Sequence, residues 1–515
     1  MNPSSEGADA PDGVGHLGRI AGRVLLAACL IASLIAAVAQ ADDEELDDMM
    51  GGFDDDFDVA ELDDLEQEIP AWLAALPFGE VLYERVDLGG SIAAGAVWNY
   101  LSHTVADGNG GRTDYGGLSR LDLDGFLQLD IQLPGEWQIR AEALGWYDFA
   151  YRIQGRSDYN GAVLDVYEWQ VDTGELYIAG PLHDNLDLTV GRKIVNWGRS
   201  DTFRVVDVVS PLDNKEPGLV DIEDLRRPKA MVKLDATRGP WSGQLLVIPE
   251  HRYDRQPPIG SDFIPDIFAN QGLGGTAQID DRPNFSGVPG LAAKFDGRFS
   301  GWDFSLYGAY LDETSRVIDS DGTPNGVKSE ANRIGMLGAA GNITRGAFLL
   351  KAEFAWLMDT RTIRILVPAP VPPPFPALLS TERDRIDSMV GIEWYGPDQL
   401  TVGLEVVSRQ ILDHPDGSNG NAFPSVLELT PASGYETALR ITRPFFRERL
   451  EVTLLGIAFG ERFQDGGLFR ASADFELTDA WKLEGGWLVY FGGPRIGIGS
   501  FDSNDRIYAE AKYSF

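Results

Sequence analysis

Hydrophobic and polar residues alternate through the last twelve residues of the chain. Ile507, Ala509, Ala511, Tyr513 and Phe515 share one parity, and the residues between them are mostly polar. A β-strand sends successive side chains to opposite faces, so this segment predicts a strand with one apolar and one polar face. Chain ends usually fray in soluble proteins, yet this strand continues to the last residue. It therefore predicts either the closing strand of a membrane β-barrel or the edge of a soluble β-sandwich.

The same alternation recurs from residue 86 onward and predicts about eighteen strands, with sixteen as the lower count. The segments lie near residues 87–101, 118–133, 136–153, 161–180, 185–198, 227–238, 241–250, 288–299, 301–313, 330–340, 346–359, 383–395, 400–412, 433–443, 448–461, 466–477, 481–492 and 504–515. Connections after even-numbered segments are short, whereas four of those after odd-numbered segments are long, at 199–226, 251–287, 360–382 and 413–432. This rhythm is typical of tight periplasmic turns and longer outer loops. It favours an all-β fold, an antiparallel up-and-down transmembrane β-barrel over residues 86–515.

The two faces of the predicted strands differ in charge. Asp122 and Asp130 alternate with leucines in the second segment, and Arg140 and Glu142 alternate with apolar residues in the third. A charge facing lipid at mid-depth costs about 2–4 kcal/mol, so the charged parity is predicted to face the lumen. Aromatic residues at segment ends suit interfacial belts; they are Trp98, Tyr100, Trp302, Tyr310, Trp481 and Tyr490. Tyr513 and Phe515 are similar to the C-terminal signal by which outer-membrane barrels are recognised and closed.

The N-terminal part has a different composition. Residues 1–41 are typical of a cleavable signal peptide, because Arg19 and Arg23 precede an apolar run that ends in Ala39-Gln40-Ala41. A membrane anchor and a lipidated Cys29 are the alternatives. Residues 42–85 form an acidic segment, predicted to be disordered, with a short amphipathic helix near 62–76. The segment suits a solvated tail or a docking tail in the periplasm, and it lacks the glycine and distal glutamate of a calcium loop.

Composition excludes several classes of protein. The formal net charge of −37 opposes binding to nucleic acid. Past the N-terminus no apolar run reaches the roughly 18 residues of a spanning helix. The only cysteine, Cys29, lies in the predicted leader, so the mature chain is expected to have no disulfide and no thiolate metal site. A barrel of about eighteen strands is too wide to be filled by its wall side chains alone, so it encloses a channel or a plugged lumen.

Basic residues concentrate between positions 191 and 233 of an otherwise acidic chain. They include Arg192, Lys193, Arg199, Arg226, Arg227, Lys229 and Lys233. A β-bulge at Gly191-Arg192 would turn the arginine inward, and the loop 199–226 is long enough to fold back as a constriction. The hypothesis is a cationic ladder in the lumen that faces Asp122, Asp130 and Glu142. The alternative is an outer loop with ordinary charge pairs.

The same stretch carries a family resemblance. The runs Gly191–Ser200, Ser210–Asp213 and Leu225–Pro228 resemble the motif of the domain-of-unknown-function 1302 family of proteobacterial outer-membrane barrels. Lys193 and Arg199 depart from that motif, which has glutamine and an acidic residue there. The resemblance implies transport of hydrophobic or lipid-like molecules beside an inner-membrane exporter. The alginate-export barrels, whose lumens are lined by arginine, are a near alternative that implies an anionic polysaccharide.

No catalytic constellation accompanies these features. The mature histidines are His103, His183, His251 and His414, and none forms a ligand-like pair or follows a nucleophile motif. We therefore expect a channel without enzymatic activity or cofactor. The expected partners are outer-membrane lipid and lipopolysaccharide, the barrel-insertion machinery, and an exporter or periplasmic protein that docks at 42–76. A structural sheath for redox partners is an alternative of another class.

Overall fold

The computed structural model describes most of the chain from residue 85 to its end. The described residues are 85–107, 111–264, 283–285, 287–315, 317–320, 327–367, 377–414, 425–428, 430–495 and 497–515. The predicted signal peptide, the acidic segment and the docking segment lie outside them. Among the helices of the described ranges, none is long and apolar enough to span a membrane.

Eighteen antiparallel strands form a closed barrel, as the alternation predicts. In chain order β1 to β18 are Val86–Asn99, Gly117–Leu133, Trp137–Asp148, Trp169–His183, Leu186–Lys193, Lys229–Arg238, Trp241–Ile248, Gly290–Phe299, Trp302–Asp312, Arg333–Arg345, Phe348–Val367, Ala377–Tyr395, Thr401–Ile411, Ser433–Phe445, Leu450–Phe459, Gly467–Glu476, Trp481–Phe491 and Arg506–Ser514. Each strand pairs with its sequence neighbours. Short strands extend some outer loops, at Thr104–Ala106, Arg112–Asp114, Val317–Ser320, Val327–Glu330 and Ser425–Glu428.

The two ends of the sheet join each other. In the β1–β18 pair Ile92 lies opposite Tyr513, and Trp98 lies opposite Ile507. The backbones of Gly90 and Phe515 exchange two hydrogen bonds of 2.9 and 3.0 Å. Because every edge is paired, the barrel leaves no open strand for aggregation, and the soluble edge-strand alternative is wrong.

The outer face is apolar, as predicted. Leu127, Val171 and Val390 are exposed on it, while the alternate residues face the lumen. Trp98, Tyr100, Trp302, Tyr310 and Trp481 are exposed near strand ends, but Tyr490 is fully buried. The placement of Tyr490 in an aromatic belt is therefore wrong. Its parity matches that of Leu488, which also faces inward, and its ring packs against Phe263 and Phe501.

Several predicted strand bounds differ from the structure; the fifth strand, for example, ends at Lys193 and the tenth at Arg345, where the sequence predicts 198 and 340. The third segment ends at Asp148, and helix α1, Ala150–Gln154, follows it. The fourth begins with helix α2, Gly161–Tyr167, whose first turn is capped when Asn160 Oδ1 accepts from Val163 N at 2.8 Å. The predicted loop 360–382 is mostly strand, because β11 and β12 stay paired from Thr360 to Leu366 beyond a break in register. Its many β-branched residues favour that pairing.

Candidate functional site

The lumen loop, residues 194–228, connects β5 to β6 and folds into the barrel. Its segment 195–209, the apolar half, carries Phe203, Val205, Val206 and Val209, and the last two valines are 0% exposed. They pack against inward residues of β6 to β14, which include Met231, Leu246, Met336, Leu357 and Val407. Full burial of such a side chain contributes about 1.5–3 kcal/mol. Burial of this apolar run inside the barrel therefore stabilises the inward conformation of the loop.

Two glutamates of the barrel wall hold the backbone of the apolar half. Glu353 on β11 accepts hydrogen bonds from the amides of Arg199, Ser200 and Val206, the last two at 2.7 and 3.3 Å. Glu405 on β13 accepts from the Ser200 hydroxyl at 2.6 Å and from the next amide at 2.9 Å. Both carboxylates are buried. Hydrogen bonds to a charged group contribute about 1.5–3 kcal/mol each, so these two residues fasten the loop firmly.

Residues 215–224, the polar half of the lumen loop, reach the opposite wall. Glu216 pairs with Arg120 of β2 at 2.8 Å. Asp221 pairs with Arg440 of β14 at 2.5 Å and with Arg470 of β16. Arg470 also donates to the carbonyls of residues 218 and 219, at 3.1 Å each. Because the apolar half packs on β6 to β14 and the polar half reaches β14, β16 and β2, the lumen loop crosses the interior of the barrel.

A second inward segment, residues 249–264, lies over the lumen loop. Arg255 pairs with Asp213 of the lumen loop at 3.0 Å and with Asp172 of β4 at 3.2 Å. Asp262 pairs with Arg506 of β18 at 3.0 Å. The ring of His251 pairs with Asp312 of β9. The segment thus connects three parts of the wall and braces the loop beneath it.

The predicted basic residues have acidic partners, but not the predicted ones. The ion pairs are Arg192–Glu250 at 2.8 Å, Lys193–Glu175 at 3.4 Å, Arg199–Asp303 at 2.5 Å, Arg226–Asp207 at 3.0 Å, Arg227–Asp172 at 3.7 Å and Lys233–Asp235 at 2.6 Å. Lys229 is buried within electrostatic reach of Asp312, Glu250 and Asp254. These residues belong to the folded base of the loop and to the wall around it.

The three carboxylates predicted to face the ladder have other contacts. Asp122 pairs with Arg120 at 3.0 Å, and Asp130 pairs with Arg140 at 2.8 Å. Glu142 accepts a hydrogen bond from the amide of Glu175 at 2.8 Å. None of the three forms an ion pair with a basic residue of the predicted ladder. Asp130 and Arg140 adjoin the short turn between β2 and β3, whereas most of the basic cluster lies at the outer ends of β5 and β6 and in the loop between them.

The structure has no bulge at Gly191-Arg192 of β5, but it has one on the neighbouring strand, β4. Pairing of β5 runs through Gly191 and Arg192 without a shift on either side. The break in register falls instead between β3 and β4, where Gly174 and Glu175 of β4 together oppose Glu142. Arg192 keeps lipid-facing parity, and its long side chain bends to Glu250. Gly191 has φ +136°, and a Cβ there would collide with the wall of β4, so glycine is required.

The three runs of the family motif meet at the base of the lumen loop. The Ser210 hydroxyl and the backbone of Val195 form two hydrogen bonds of 3.0 Å. The amide of Arg227 donates to the carbonyl of Pro211 at 2.7 Å. The Trp197 indole donates to Gln244 of β7 at 2.9 Å. In this chain the motif residues build the two stems of the loop and bind them to each other.

Two adjacent cavities lie beside the lumen loop, on the side of the short turns, and the smaller one is also lined by Asp201 and Thr202 of the apolar half. Their volumes are about 330 and 530 Å³, and they share Asp221, Glu223, Arg440 and Glu451 as lining. Carboxylates without an ion-pair partner among the described residues line the larger one, namely Glu223, Asp224, Glu448, Glu451, Glu476, Glu484 and Glu510. Its cations are engaged in ion pairs or with backbone carbonyls. The space beside the loop is therefore negatively lined, which the lumen parity of β15 to β18 already indicates.

Comparisons with known proteins place the chain in a family. The family described as "Protein of unknown function (DUF1302)" matches residues 22–515. The chain belongs to the DUF1302 family. No curated protein matches the sequence. Within the described residues, no group of three or more histidine, cysteine, aspartate or glutamate side chains is arranged to hold a metal ion.

Several solved structures resemble this DUF1302 protein in fold at low identity. OccAB3 of Acinetobacter baumannii is 8% identical, with 84% of this chain and 99% of that chain covered and a TM-score of 0.47. OccK8 (OprE) of Pseudomonas aeruginosa is 10% identical, with 84% and 98% covered and a TM-score of 0.47. A BenF-like porin from Pseudomonas fluorescens Pf-5 is 8% identical, with 84% and 98% covered and a TM-score of 0.45. The family assignment rests on the sequence match alone.

Proposed function

We propose that this protein is an outer-membrane channel for small solutes, with the lumen loop as its constriction. The observation that carries the proposal is a loop fastened to opposite walls inside a closed barrel whose outer face is apolar. Such an outer face suits lipid, and a lumen that is narrowed and polar suits selective passage. Outer-membrane lipid and lipopolysaccharide are the surroundings that this function implies.

The nature of the solute is part of the proposal. The family resemblance favours a hydrophobic or lipid-like cargo, passed on by an inner-membrane exporter that docks at residues 42–76. The carboxylates that line the cavities beside the polar half favour a polar or cationic solute instead. An anionic polysaccharide would meet like charge there, and the arginines near the loop are already paired. The loop across the lumen also opposes the passage of a folded redox partner.

Catalysis is not part of the proposed function. His251 is buried and pairs with Asp312, which resembles two members of a hydrolytic triad. Its Nε2 atom has no hydrogen-bond partner in the described ranges, so no serine of those ranges is held there as a nucleophile. The pair stabilises the second inward segment against β9.

Planar bilayer recordings of the purified, refolded protein test the channel. We expect a small and steady single-channel conductance, set by the constriction. Replacing Gly198–Thr202 by a flexible linker that loses the contacts with Glu353 and Glu405 should raise the conductance several-fold. A control exchanges the outer turn 460–466 for the same kind of linker. If neither the parent nor the linker variant conducts although both are heat-modifiable barrels, the channel assignment is wrong.

A further inference from the structure

A third cavity, the aromatic cavity, lies between the lumen loop and the inner ends of two loops above β2 and β3. Its volume is about 190 Å³. Four aromatic residues line it, among them Trp146 of β3 and Tyr167 of α2. Six carboxylates, three cations and Ser119 complete the lining, so acidic residues outnumber basic ones two to one. A cavity with aromatic faces and excess negative charge suits an organic cation.

An ammonium group already occupies part of this cavity. Lys215 of the polar half holds its Nζ atom 4.1 Å from the centre of the Trp146 ring and 5.8 Å from that of Tyr167. Asp213 lies 3.6 Å from the same nitrogen atom. Contacts of this geometry are those by which aromatic side chains bind cations. Lys215 thus shows what kind of group the cavity accepts.

The other two cations of the cavity are neutralised by their own partners. Arg120 lies between Asp122 and Glu216, at 3.0 and 2.8 Å. Arg506 pairs with Asp262 at 3.0 Å. Three of the six carboxylates are used in these contacts. Of the other three, Asp213 is shared between Lys215 and Arg255, and Asp148 accepts hydrogen bonds from the amides of Leu121 and Ala150. Asp213 therefore stays beside the position of the ammonium group if the Lys215 side chain withdraws.

We propose that the aromatic cavity binds a small organic cation, an amine or a quaternary ammonium ion, which takes the place of the Lys215 ammonium group. The inference that such a cation is the transported solute rests on the proposed function. Binding of the cation in the cavity does not require that the protein conducts. The acidic cavities beside the lumen loop provide a path of matching charge. The aromatic faces favour an ammonium ion over a divalent metal ion, which prefers a shell of oxygen ligands.

Calorimetric titration of the full-length barrel in detergent with tetramethylammonium chloride tests the site, and potassium chloride provides the comparison salt. We expect the parent to bind tetramethylammonium weakly and Lys215→Gln to bind it about tenfold more tightly, because the resident ammonium group is gone. Trp146→Leu should weaken binding about tenfold in the Lys215→Gln background. Trp241→Leu is the matched control, because Trp241 is 41% exposed on the outer face of β7.

The outcomes separate this proposal from the channel assignment. It is overturned if Lys215→Gln binds tetramethylammonium no better than the parent, if potassium chloride gives the same heat, or if Trp241→Leu weakens binding as much as Trp146→Leu. If Trp146→Leu fails to fold, Lys215→Gln still tests the proposal, because this variant is expected to bind tetramethylammonium more tightly and a misfolded protein would not. Binding without any bilayer conductance would refute the channel and support the site. Conductance without tetramethylammonium binding would support the channel and refute the site.

Discussion

The two halves of the lumen loop are held in different ways. The apolar half packs its valines against inward hydrophobic residues of β6 to β14, and Glu353 and Glu405 hold its backbone. The polar half is held by ion pairs through Glu216 and Asp221, with cavities beside it. Close-packed interiors resist deformation, whereas wet ion pairs rearrange at lower cost. Both halves border a cavity, so the comparison indicates a difference in how firmly each half is held: the apolar half by packing and the polar half by ion pairs.

A buried charge in the apolar half tests the comparison most severely. Val206→Asp would place a carboxylate among valines and close to Glu353, which costs several kcal/mol unless the loop withdraws. We expect the loop to detach and the single-channel conductance in planar bilayers to rise several-fold. Val220→Asp is the matched control, because Val220 belongs to the polar half and is 41% exposed. Equal effects of the two substitutions would remove the distinction between the halves.

Loss of one backbone anchor should have the next largest effect. Glu353→Gln replaces one acceptor oxygen by an NH2 group, so at least one of three amides loses its partner, at about 1–3 kcal/mol. We expect faster hydrogen exchange at Ser200 and Val206, measured by mass spectrometry of the peptides that contain them. Glu451→Gln changes the same chemical group beside the polar half, where it has no ion-pair partner among the described side chains. Unaltered exchange in Glu353→Gln would mean that packing alone holds this half.

The ion pairs of Asp221 sharpen the comparison from the other side. Asp221→Ala releases Arg440 and Arg470 and removes one negative charge from the cavities. We expect the conductance to rise about twofold and the reversal potential in a salt gradient to shift toward anions, because two guanidinium groups are left without that partner. Asp398→Ala, at an exposed turn, is the control. If Asp221→Ala raised the conductance as much as Val206→Asp does, the ion pairs would hold the polar half as firmly as packing holds the apolar half.

The smallest effect is expected from acid. Burial raises the pKa of Glu216, but Arg120, Arg506 and Lys215 more than compensate and hold that pKa below its ordinary value of 4.5. A lowered pKa in the folded protein stabilises the fold above the ordinary value, and this stabilisation disappears as the pH falls through the lowered pKa. The contribution of Glu216 to the conductance should therefore be constant above its ordinary pKa of 4.5, and the conductance should rise as the pH falls through the lowered pKa. Glu216→Gln should abolish that part of the pH dependence, and an unchanged profile would contradict the assignment.

Some features of the barrel are local in the sequence, and these could be predicted. The parity of Leu127 and Asp130 determines which face each occupies, because successive residues of a strand alternate. Short turns such as Pro134-Gly135 and long outer loops establish the order of the strands. The length of the loop 199–226 allows an inward path, but the packing of Phe203, Val206 and Val209 against the wall is what distinguishes it from an outer loop. Even so, Tyr490 shows that an aromatic residue at a strand end is not by itself evidence for a belt.

The partners of the charged side chains were decided only by the tertiary structure. Glu353 holds Arg199 and Ser200 across about 150 positions of sequence, and Lys215 meets Trp146 only because the loop crosses the lumen. The alternation of apolar and polar residues predicts which face of the wall a residue lies on. It does not predict which loop residues that side chain contacts. Those contacts depend on the position of each residue along the barrel axis and on the path of the lumen loop. For this reason the sequence alone determined the barrel and its lumen face, while the inward path of the loop, the ion pairs, the anchors and the aromatic cavity came from three-dimensional packing.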